Sequence, residues 1–257
     1  MLSDFHWQAA GHCKALEALT IRGGAWRVST FPSKFAYFRH PRHGWCLFDT
    51  GYAPRFLLAT ERFPYKFYEL TTPVSISPAE TARAQLAQAG IKPEEVETVV
   101  LSHLHADHVA GLLDFPRATI VTSREGWEAF QNLKGLAAVR KGYLPQLIPT
   151  DFERRAQWVR GDEDLWGDGS LQLVPLPGHA AGQVGAILQT DQGPVFLCAD
   201  ACWHSTSYRQ NIDLPWLTHW LLSDSAEDFR ESLRYLQGFH RENPEIPILP
   251  SHCREAL

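Results

Sequence analysis

The chain has 257 residues, of which 44% are hydrophobic and 12% aromatic, so it can bury a sizeable core and does not have the composition of a disordered protein. Its formal net charge is −5 and its basic residues are dispersed, which disfavours nucleic acid as a partner, because phosphate binding needs a basic face. We expect a single domain over residues 1–257.

The sequence carries no recognisable membrane or export signal. No uninterrupted apolar run approaches the roughly 18 residues that span a membrane, and the first residues, with an acid at Asp4, do not have the pattern of a secretory signal. The five cysteines are odd in number and form no CxxC pair, which is typical of reduced thiols. We therefore expect a cytoplasmic protein with no membrane partner.

The N-terminal part of the chain has the pattern of a meandering sheet. Aromatic and β-branched side chains alternate with turn residues and predict three short strands, at residues 25–31, 35–40 and 45–49. Residues 52–76 are rich in aromatic side chains but show no clear period. We expect a long loop there, which lines an apolar pocket or packs on the core or on a second subunit.

The middle of the chain alternates between helix and strand signals. Ser77-Pro78-Ala79-Glu80 is a capping box with proline at the first helical position, and it predicts a helix of about a dozen residues ending before Gly90. Strands at 98–101 and 118–122 and a helix at 124–133 follow. Residues 134–170 lose this periodicity, and we predict a second irregular excursion that could close over a functional site.

The C-terminal part begins with a predicted strand at 171–176. Two further strands, at 184–190 and 194–199, flank Asp191-Gln192-Gly193 and form a hairpin. Ser225 begins the last helix, in which one face is apolar and is assigned to the core: Phe229, Leu233 and Leu236.

The densest chemistry follows the predicted strand at 98–101, where three imidazoles and a carboxylate occur within six residues. His103 and His105 are two residues apart and point the same way in an extended segment, so their nitrogens can converge on one metal ion. Asp107 and His108 follow at once and suit a second divalent ion nearby. The pattern predicts a metal site.

The motif His103-x-His105-x-Asp107-His108 resembles that of the metallo-β-lactamase-fold hydrolases. The resemblance continues in the expected order with Pro177-Gly178-His179, with Asp200 after the apolar run 195–199, and with His252. It is greatest with the lactonase and glyoxalase II-like branch. It implies an α/β fold, the αββα sandwich, in which two mixed β-sheets pack face to face with helices outside.

The resemblance also implies the ligands of two divalent metal ions. The first ion would be held by His103, His105 and His179. The second would be held by Asp107, His108 and His252, and Asp200 would bridge the two. Nitrogen and oxygen ligands suit zinc first, with iron or manganese as alternatives.

The resemblance also implies that Asp49, in Asp49-Thr50-Gly51, accepts a hydrogen bond from a ligating imidazole and so orients it. The alternative is that Asp49 only forms a turn before the glycine. Asp200 stands where β-lactam hydrolases of this fold carry Cys or Ser, so antibiotic hydrolysis is not expected.

The implied function is a dinuclear-metal hydrolase that cleaves a small organic ester, lactone or thioester. A hydroxide shared by the two ions would attack the substrate, and Asp107 would orient it or carry its proton to the leaving group. The many aromatic residues suggest a small-molecule substrate with an apolar or acyl part. A homodimer is left open.

Three residues after Asp200 are candidates for contact with the substrate. Trp203 stands where the quorum-quenching lactonases carry a tyrosine whose hydroxyl polarises the substrate carbonyl. His204 or Tyr208 would then supply that donor. Three alternatives remain open: a phosphodiesterase, a mononuclear-iron persulfide dioxygenase related to glyoxalase II, and a noncatalytic binding protein, which the complete set of seven ligands disfavours.

Overall fold

The computed structural model describes residues 1–255, which build two β-sheets. The larger sheet has seven strands in the order β4-β1-β2-β3-β5-β6-β7. Their bounds are β1 Ser3–Leu16, β2 Val28–His40, β3 Gly44–Phe48, β4 Val74–Ser75, β5 Val96–Val100, β6 Thr119–Ser123 and β7 Ala156–Val159. Strands β3, β5, β6 and β7 are parallel to one another, whereas β4, β1, β2 and β3 pair antiparallel, so the sheet is mixed.

The smaller sheet has five strands in the order β12-β11-β10-β9-β8. Their bounds are β8 Glu163–Asp164, β9 Leu171–Pro175, β10 Val184–Thr190, β11 Gly193–Ala199 and β12 Ile248–Pro250. Only β11 and β12 pair in parallel, so this sheet is mixed as well. The hairpin predicted around Asp191-Gln192 joins β10 to β11, as expected.

Both sheets are buried on two faces, which explains their nearly continuous apolar runs. In β2, the side chains of Ala36 and Phe38 face the smaller sheet, whereas those of Phe35 and Tyr37 face outward into a second cluster. In β11, Leu197 belongs to the cluster between the sheets, and its neighbours belong to the outer cluster. The alternation follows from the two-residue period of a strand and divides the core into one cluster between the sheets and one on the outer face of each sheet.

Eleven α-helices accompany these strands within residues 1–255. Their bounds are α1 Glu17–Thr20, α2 Arg55–Ala59, α3 Lys66–Thr71, α4 Ala82–Gln88, α5 Ala106–Val109, α6 Arg124–Gln131, α7 Gly135–Arg140, α8 Phe152–Arg155, α9 Ser205–Gln210, α10 Trp216–Leu222 and α11 Ala226–Glu242. Helices α4, α6 and α8 cover the outer face of the larger sheet, and α9 and α11 cover that of the smaller one. The predicted αββα sandwich is therefore confirmed.

Helix α11 agrees with its prediction in detail. The Ser225 side chain accepts a hydrogen bond from the Asp228 amide and begins the helix. Phe229, Leu233 and Leu236 are buried, as the apolar face requires. Within residues 1–255, no helix is both long enough and apolar enough to cross a lipid bilayer.

The long first strand was missed by the sequence analysis. The pairing of β1 with β2 shifts register between Ser3 and His6 and again between Ala9 and His12, so polar and apolar residues do not alternate regularly along β1. The strands predicted at 25–31 and 35–40 also form one strand, because Pro32 lies beside the second irregularity, where a proline is tolerated.

The dozen-residue helix predicted after Ser77 was wrong. The capping box exists, but it encloses only a 3₁₀ turn at Pro78–Glu80. Thr81 then adopts an extended backbone, and its side chain accepts a hydrogen bond from the Ala84 amide. This second cap starts α4, which therefore has only seven residues.

The two segments predicted as irregular contain short regular elements. Residues 52–76 include α2, α3 and the edge strand β4, and residues 134–170 include α7, α8, β7 and β8. Strand β7 pairs with β6 and completes the larger sheet, so the second segment is not one long excursion. Each element has only two to six residues, too few to produce a detectable hydrophobic period.

Candidate metal centre

The proposed ligands converge although they lie far apart in the sequence. His103 and His105 follow β5, and Asp107 and His108 lie in α5, directly behind them. His179 follows β9, Asp200 follows β11 and His252 follows β12. All seven side chains are buried. The ends of four strands thus deliver seven potential ligands to one place.

The first group consists of His103, His105 and His179, whose ligand atoms all lie within 4.8 Å of one another. His179 Nε2 is 3.0 Å from His105 Nδ1. Two ligand nitrogens of a tetrahedral ion, each about 2.0–2.1 Å from it, lie about 3.4 Å apart, so this separation is close to that expected around one ion.

The second group consists of Asp107, His108 and His252, again within 4.8 Å of one another. Asp107 Oδ2 lies 3.2 Å from His252 Nε2 and 3.6 Å from His108 Nε2. These separations also agree with the edges of a coordination polyhedron.

Asp200 lies between the two groups. Its Oδ2 is 3.4 Å from His179 Nε2 in the first group and 3.0 Å from His252 Nε2 in the second. Its Oδ1 is 3.4 Å from His108 Nε2. The preceding residue, Ala199, has φ of 48°, a strained conformation for a residue with a side chain, which directs the carboxylate into the cluster.

Three imidazoles in the cluster are held in the tautomer that a metal ligand needs. His108 Nδ1 donates to Asp49 Oδ2 at 2.8 Å, and His252 Nδ1 donates to the Pro32 carbonyl at 2.8 Å. The Ser102 hydroxyl donates to Asp49 Oδ2, so its oxygen can accept from His103 Nδ1 at 2.9 Å. In each ring Nδ1 is thus engaged as the donor, and Nε2 is the nitrogen directed at the centre, where a bound metal ion would take the place of its proton.

Unpartnered atoms in the same place support a metal ion. Among the described residues, six buried side-chain polar atoms have no hydrogen-bond partner, and four of them belong to the proposed ligands. Three of these four face the centre, namely His103 Nε2, His108 Nε2 and Asp200 Oδ1, whereas the fourth, His179 Nδ1, is not the nitrogen by which His179 faces the cluster. Leaving a buried polar atom unpaired costs about 1–3 kcal/mol. The residues present therefore fit a pair of divalent ions.

Charges divide the cluster into a neutral and an ionic half. Burial and neighbouring imidazoles lower the pKa of His103 and His105 well below the usual value, and burial lowers that of His179. In the other half, burial opposes ionisation, but the nearby carboxylates raise the pKa of His108 and His252 well above the usual value. Asp107, whose burial is outweighed by these two imidazoles, has its pKa lowered to about 2.

The raised pKa values of His108 and His252 predict that metal binding releases protons. His108 and His252 are protonated at neutral pH in the metal-free protein because their pKa values are raised, and a metal requires their neutral forms. We expect release of about two protons per chain near pH 7, and metal affinity that rises with pH. Calorimetric titrations in buffers of different ionisation enthalpy measure this number, and an enthalpy independent of the buffer would contradict it.

Asp49 lies where the sequence placed it, behind a proposed ligand. Besides His108, its carboxylate accepts from the Ser102 amide and the Ser102 hydroxyl, both at 2.8 Å, and it is fully buried. Its backbone has φ of 59°, which Asp tolerates better than most residues. The side chain thus contacts a proposed ligand, and the structure shows no hydrogen-bonded turn at this residue.

Several supporting residues were missed by the sequence analysis. Ser102 and the Pro32 carbonyl hold imidazoles, but neither belongs to a recognisable motif. The Gly142 carbonyl accepts from the Ala106 amide, and a Cβ on Gly142 would lie 3.1 Å from the His105 ring. Only the position of Ser102, directly before His103, offered a signal.

Trp203 contacts the centre in an unexpected way. Its indole Nε1 donates to Asp200 Oδ2 at 3.1 Å, and its ring packs edge-to-face against His179 and His252 at centroid distances of 5.8 and 6.1 Å. The side chain thus lies beside both metal-ligand groups, with its only donor directed at the carboxylate.

His204 and Tyr208 do not join the cluster. His204 Nε2 lies 2.8 Å from the Thr20 hydroxyl, and its ring packs against Phe31. The Tyr208 hydroxyl donates to the Ile248 carbonyl at 3.4 Å on the outer face of the smaller sheet, beside a surface groove of about 390 Å³ that contains none of the proposed ligands. Neither side chain is directed at the proposed ligands, so these positions do not support either residue as the replacement for the lactonase tyrosine.

A pair of conservative variants separates Trp203 from Tyr208. Trp203→Phe removes the donor to Asp200 and is expected to weaken metal binding by about tenfold. Tyr208→Phe removes a hydroxyl far from the ligands and should leave turnover within about twofold of the parent. Steady-state kinetics and metal titration of both variants check this, and equal losses in the two would contradict it.

The chain is similar to known proteins at the level of a family and of individual relatives. The family model for the metallo-beta-lactamase superfamily matches residues 32–203. A probable metallo-hydrolase of Mycobacterium tuberculosis is 27% identical over 234 residues, covering 81% of this chain and 71% of the relative. The N-acyl homoserine lactonase AttM of Azorhizobium caulinodans is 35% identical over 128 residues, covering 47% of this chain and 46% of the relative.

Solved structures extend the likeness over nearly the whole chain. An N-acyl homoserine lactone hydrolase with the product N-hexanoyl-L-homoserine bound at its catalytic metal center superposes with a TM-score of 0.79 at 20% identity, covering 99% of this chain and 94% of the other. A probable metal-dependent hydrolase from Staphylococcus aureus has a TM-score of 0.74 at 14% identity, covering 98% and 89%. At these identities, the likeness establishes a shared fold.

Proposed function

Because the chain belongs to the metallo-beta-lactamase superfamily and is a metal-dependent hydrolase, we propose that it works with two divalent ions and cleaves a small organic ester, lactone or thioester. The observation that carries this proposal is the position of Asp200. Its carboxylate contacts His179 in one group of ligands and His108 and His252 in the other. A single ion would not require a carboxylate between two separate sets of ligands.

Each residue has a defined part in the proposed reaction. His103, His105 and His179 would hold one ion, Asp107, His108 and His252 the other, and Asp200 both. Such a pair of ions, when bound, activates a shared water and neutralises the negative charge that develops on the substrate. Zinc is the first expectation from the nitrogen and oxygen ligands, with iron and manganese as alternatives.

Asp107 is the candidate for proton handling. Its pKa is lowered to about 2 in the metal-free protein by the neighbouring imidazoles, and a bound cation would likewise favour the ionised carboxylate, which can accept a hydrogen bond from the attacking nucleophile. A carboxylate this acidic is a weak base, so its main role would be to orient the nucleophile. It would hold the proton only transiently before the proton passes to the leaving group. Among residues 1–255, the groups of side chains that could hold a metal consist of histidine and aspartate and contain no cysteine that could act as an alternative nucleophile.

Two further features support an ester-like carbonyl substrate. The relatives named N-acyl homoserine lactonases act, by those names, on lactones with an acyl chain. In this chain, Trp203 has its only donor directed at Asp200, so it is not free to polarise a substrate carbonyl. The carbonyl would therefore be polarised by the metal centre itself, which favours reactive acyl groups such as lactones and thioesters.

Proton release during substrate turnover tests the proposal. The protein is loaded separately with zinc, manganese and iron and mixed in weak buffer with a lactone, a thioester, a carboxylic ester and a phosphodiester. We expect acid release with one or more of the first three substrates and none with His103→Ala. Turnover of the phosphodiester alone would identify a phosphodiesterase in place of the proposed substrate class. No turnover of any of the four substrates, with both ions bound, would overturn the proposed function.

A further inference from the structure

Asp224 lies at a junction between two loops of the first ligand group. Its backbone amide donates to the Gly178 carbonyl at 2.9 Å and to the His179 carbonyl at 3.3 Å. Its side-chain Oδ2 accepts from the Ala181 amide at 2.6 Å. Backbone and side chain of one residue thus enclose the turn that carries His179.

The other carboxylate oxygen of Asp224 contacts the segment that packs against His105. Asp224 Oδ1 forms an ion pair with Lys141, the residue that follows α7. The next residue, Gly142, lies against the His105 ring and accepts from the Ala106 amide. The Tyr143 ring packs on His105 with a centroid distance of 5.1 Å. A single ion pair therefore joins the segment behind His105 to the turn behind His179.

Neither loop can position the two imidazoles by itself. His105 follows β5 in the larger sheet, whereas His179 follows β9 in the smaller one, and their ligand nitrogens are nevertheless 3.0 Å apart. Gly178 fixes the second turn tightly on α11, because a Cβ there would lie 2.0 Å from the Phe229 amide nitrogen. The Lys141–Asp224 pair is a direct side-chain link between the two supports.

We propose that Asp224 and Lys141 are positioning residues, which hold His105 and His179 at the separation that the first metal ion requires. The inference rests on the proposed function, since it assumes that these imidazoles bind metal. It concerns only the first group of ligands. His252, in the second group, is held by the Pro32 carbonyl, and His108 by Asp49, so the pair has no part in their placement.

A cobalt titration of the metal-free full chain tests this inference, with visible absorption as the readout. The parent protein should bind two equivalents. His105→Ala and His252→Ala identify which phase of the titration belongs to each group of ligands. We expect Asp224→Ala to weaken the His105 phase by about 10–100-fold and Lys141→Met by about tenfold, with the His252 phase unchanged, because residues that hold ligands have effects of this size.

The matched control is Lys66→Met. Lys66 pairs with Glu69, and the side chains of that pair are 33% and 31% exposed, compared with 31% and 27% for Lys141 and Asp224. Its loss should change thermal stability as little as the loss of Lys141 does and should leave both cobalt phases unchanged. Asp224→Asn, which keeps an acceptor for the Ala181 amide, should resemble Lys141→Met.

The outcomes separate the two claims. Selective weakening of the His105 phase in folded Asp224 and Lys141 variants supports the positioning role. Two unchanged phases, or equal weakening of both, would overturn it while leaving the proposed metal pair intact. Failure of the parent protein to bind two equivalents of cobalt would instead overturn the proposed function on which the inference rests.

Discussion

Asp200→Ala is expected to lower turnover by about a thousandfold. The carboxylate is 2% exposed and contacts imidazoles of both ligand groups, so its loss leaves the two ions without a shared ligand. A metal pair contributes several kcal/mol to stabilising the transition state, and a loss of about 4 kcal/mol corresponds to about a thousandfold in rate. Initial rates with the substrate identified in the proton-release experiment measure the effect.

The control for this variant is an aspartate outside the centre. Asp191 lies exposed in the turn between β10 and β11, at the opposite end of the strand that Asp200 follows. Asp191→Ala should leave turnover unchanged. Metal analysis accompanies both variants, because Asp200→Ala should also lose metal. Retention of both ions and of more than a tenth of the parent rate would show that Asp200 does not bridge the two sites.

Asp49→Asn is expected to weaken the second metal site and to destabilise the fold. Its fully buried carboxylate accepts three hydrogen bonds, from the His108 ring and from the amide and hydroxyl of Ser102. An amide nitrogen in place of one oxygen cannot accept, and loss of hydrogen bonds to a buried charge costs about 1.5–3 kcal/mol. Metal affinity should fall by about 10–100-fold, since His108 loses the group that orients it.

Asparagine is the informative substitution because it tolerates the positive φ of this residue, whereas alanine would add backbone strain. A second His–Asp contact supplies the control. Buried His40 donates to Asp168 at 3.0 Å, and neither residue belongs to a ligand group. Asp168→Asn should reduce stability without changing metal affinity. Chemical denaturation measures the stability of both variants, and metal titration measures their metal affinity. If Asp49→Asn binds metal as tightly as Asp168→Asn does, Asp49 does not orient His108 for metal binding.

The fold and the set of converging residues were predicted chiefly because the sequence resembles the metallo-β-lactamase-fold hydrolases along most of its length, whereas spacing alone indicated only the cluster from His103 to His108. Each proposed ligand follows a strand or lies in α5 just behind one, so the strand ends expected from the apolar runs agree with the positions that the resemblance implies. The ligands are also chemically unusual, since buried imidazoles and carboxylates have few roles other than metal binding or catalysis.

Other features escaped prediction because they depend on the tertiary structure. Strand β1 has an irregular register, and it is held in the sheet by pairing with β2 on one side and β4 on the other. The partner of Trp203 was unpredictable because the direction of its N–H depends on the neighbouring rings of His179 and His252. The contact of Lys141 with Asp224 joins residues 83 positions apart, and no pattern in the sequence relates them.

The central claim, a pair of metal ions among seven residues, is tested most directly by anomalous diffraction at the zinc absorption edge from crystals of the zinc-loaded protein. We predict two peaks, one among His103, His105 and His179 and one among Asp107, His108 and His252, both next to Asp200. A single peak, or peaks at other residues, would contradict it.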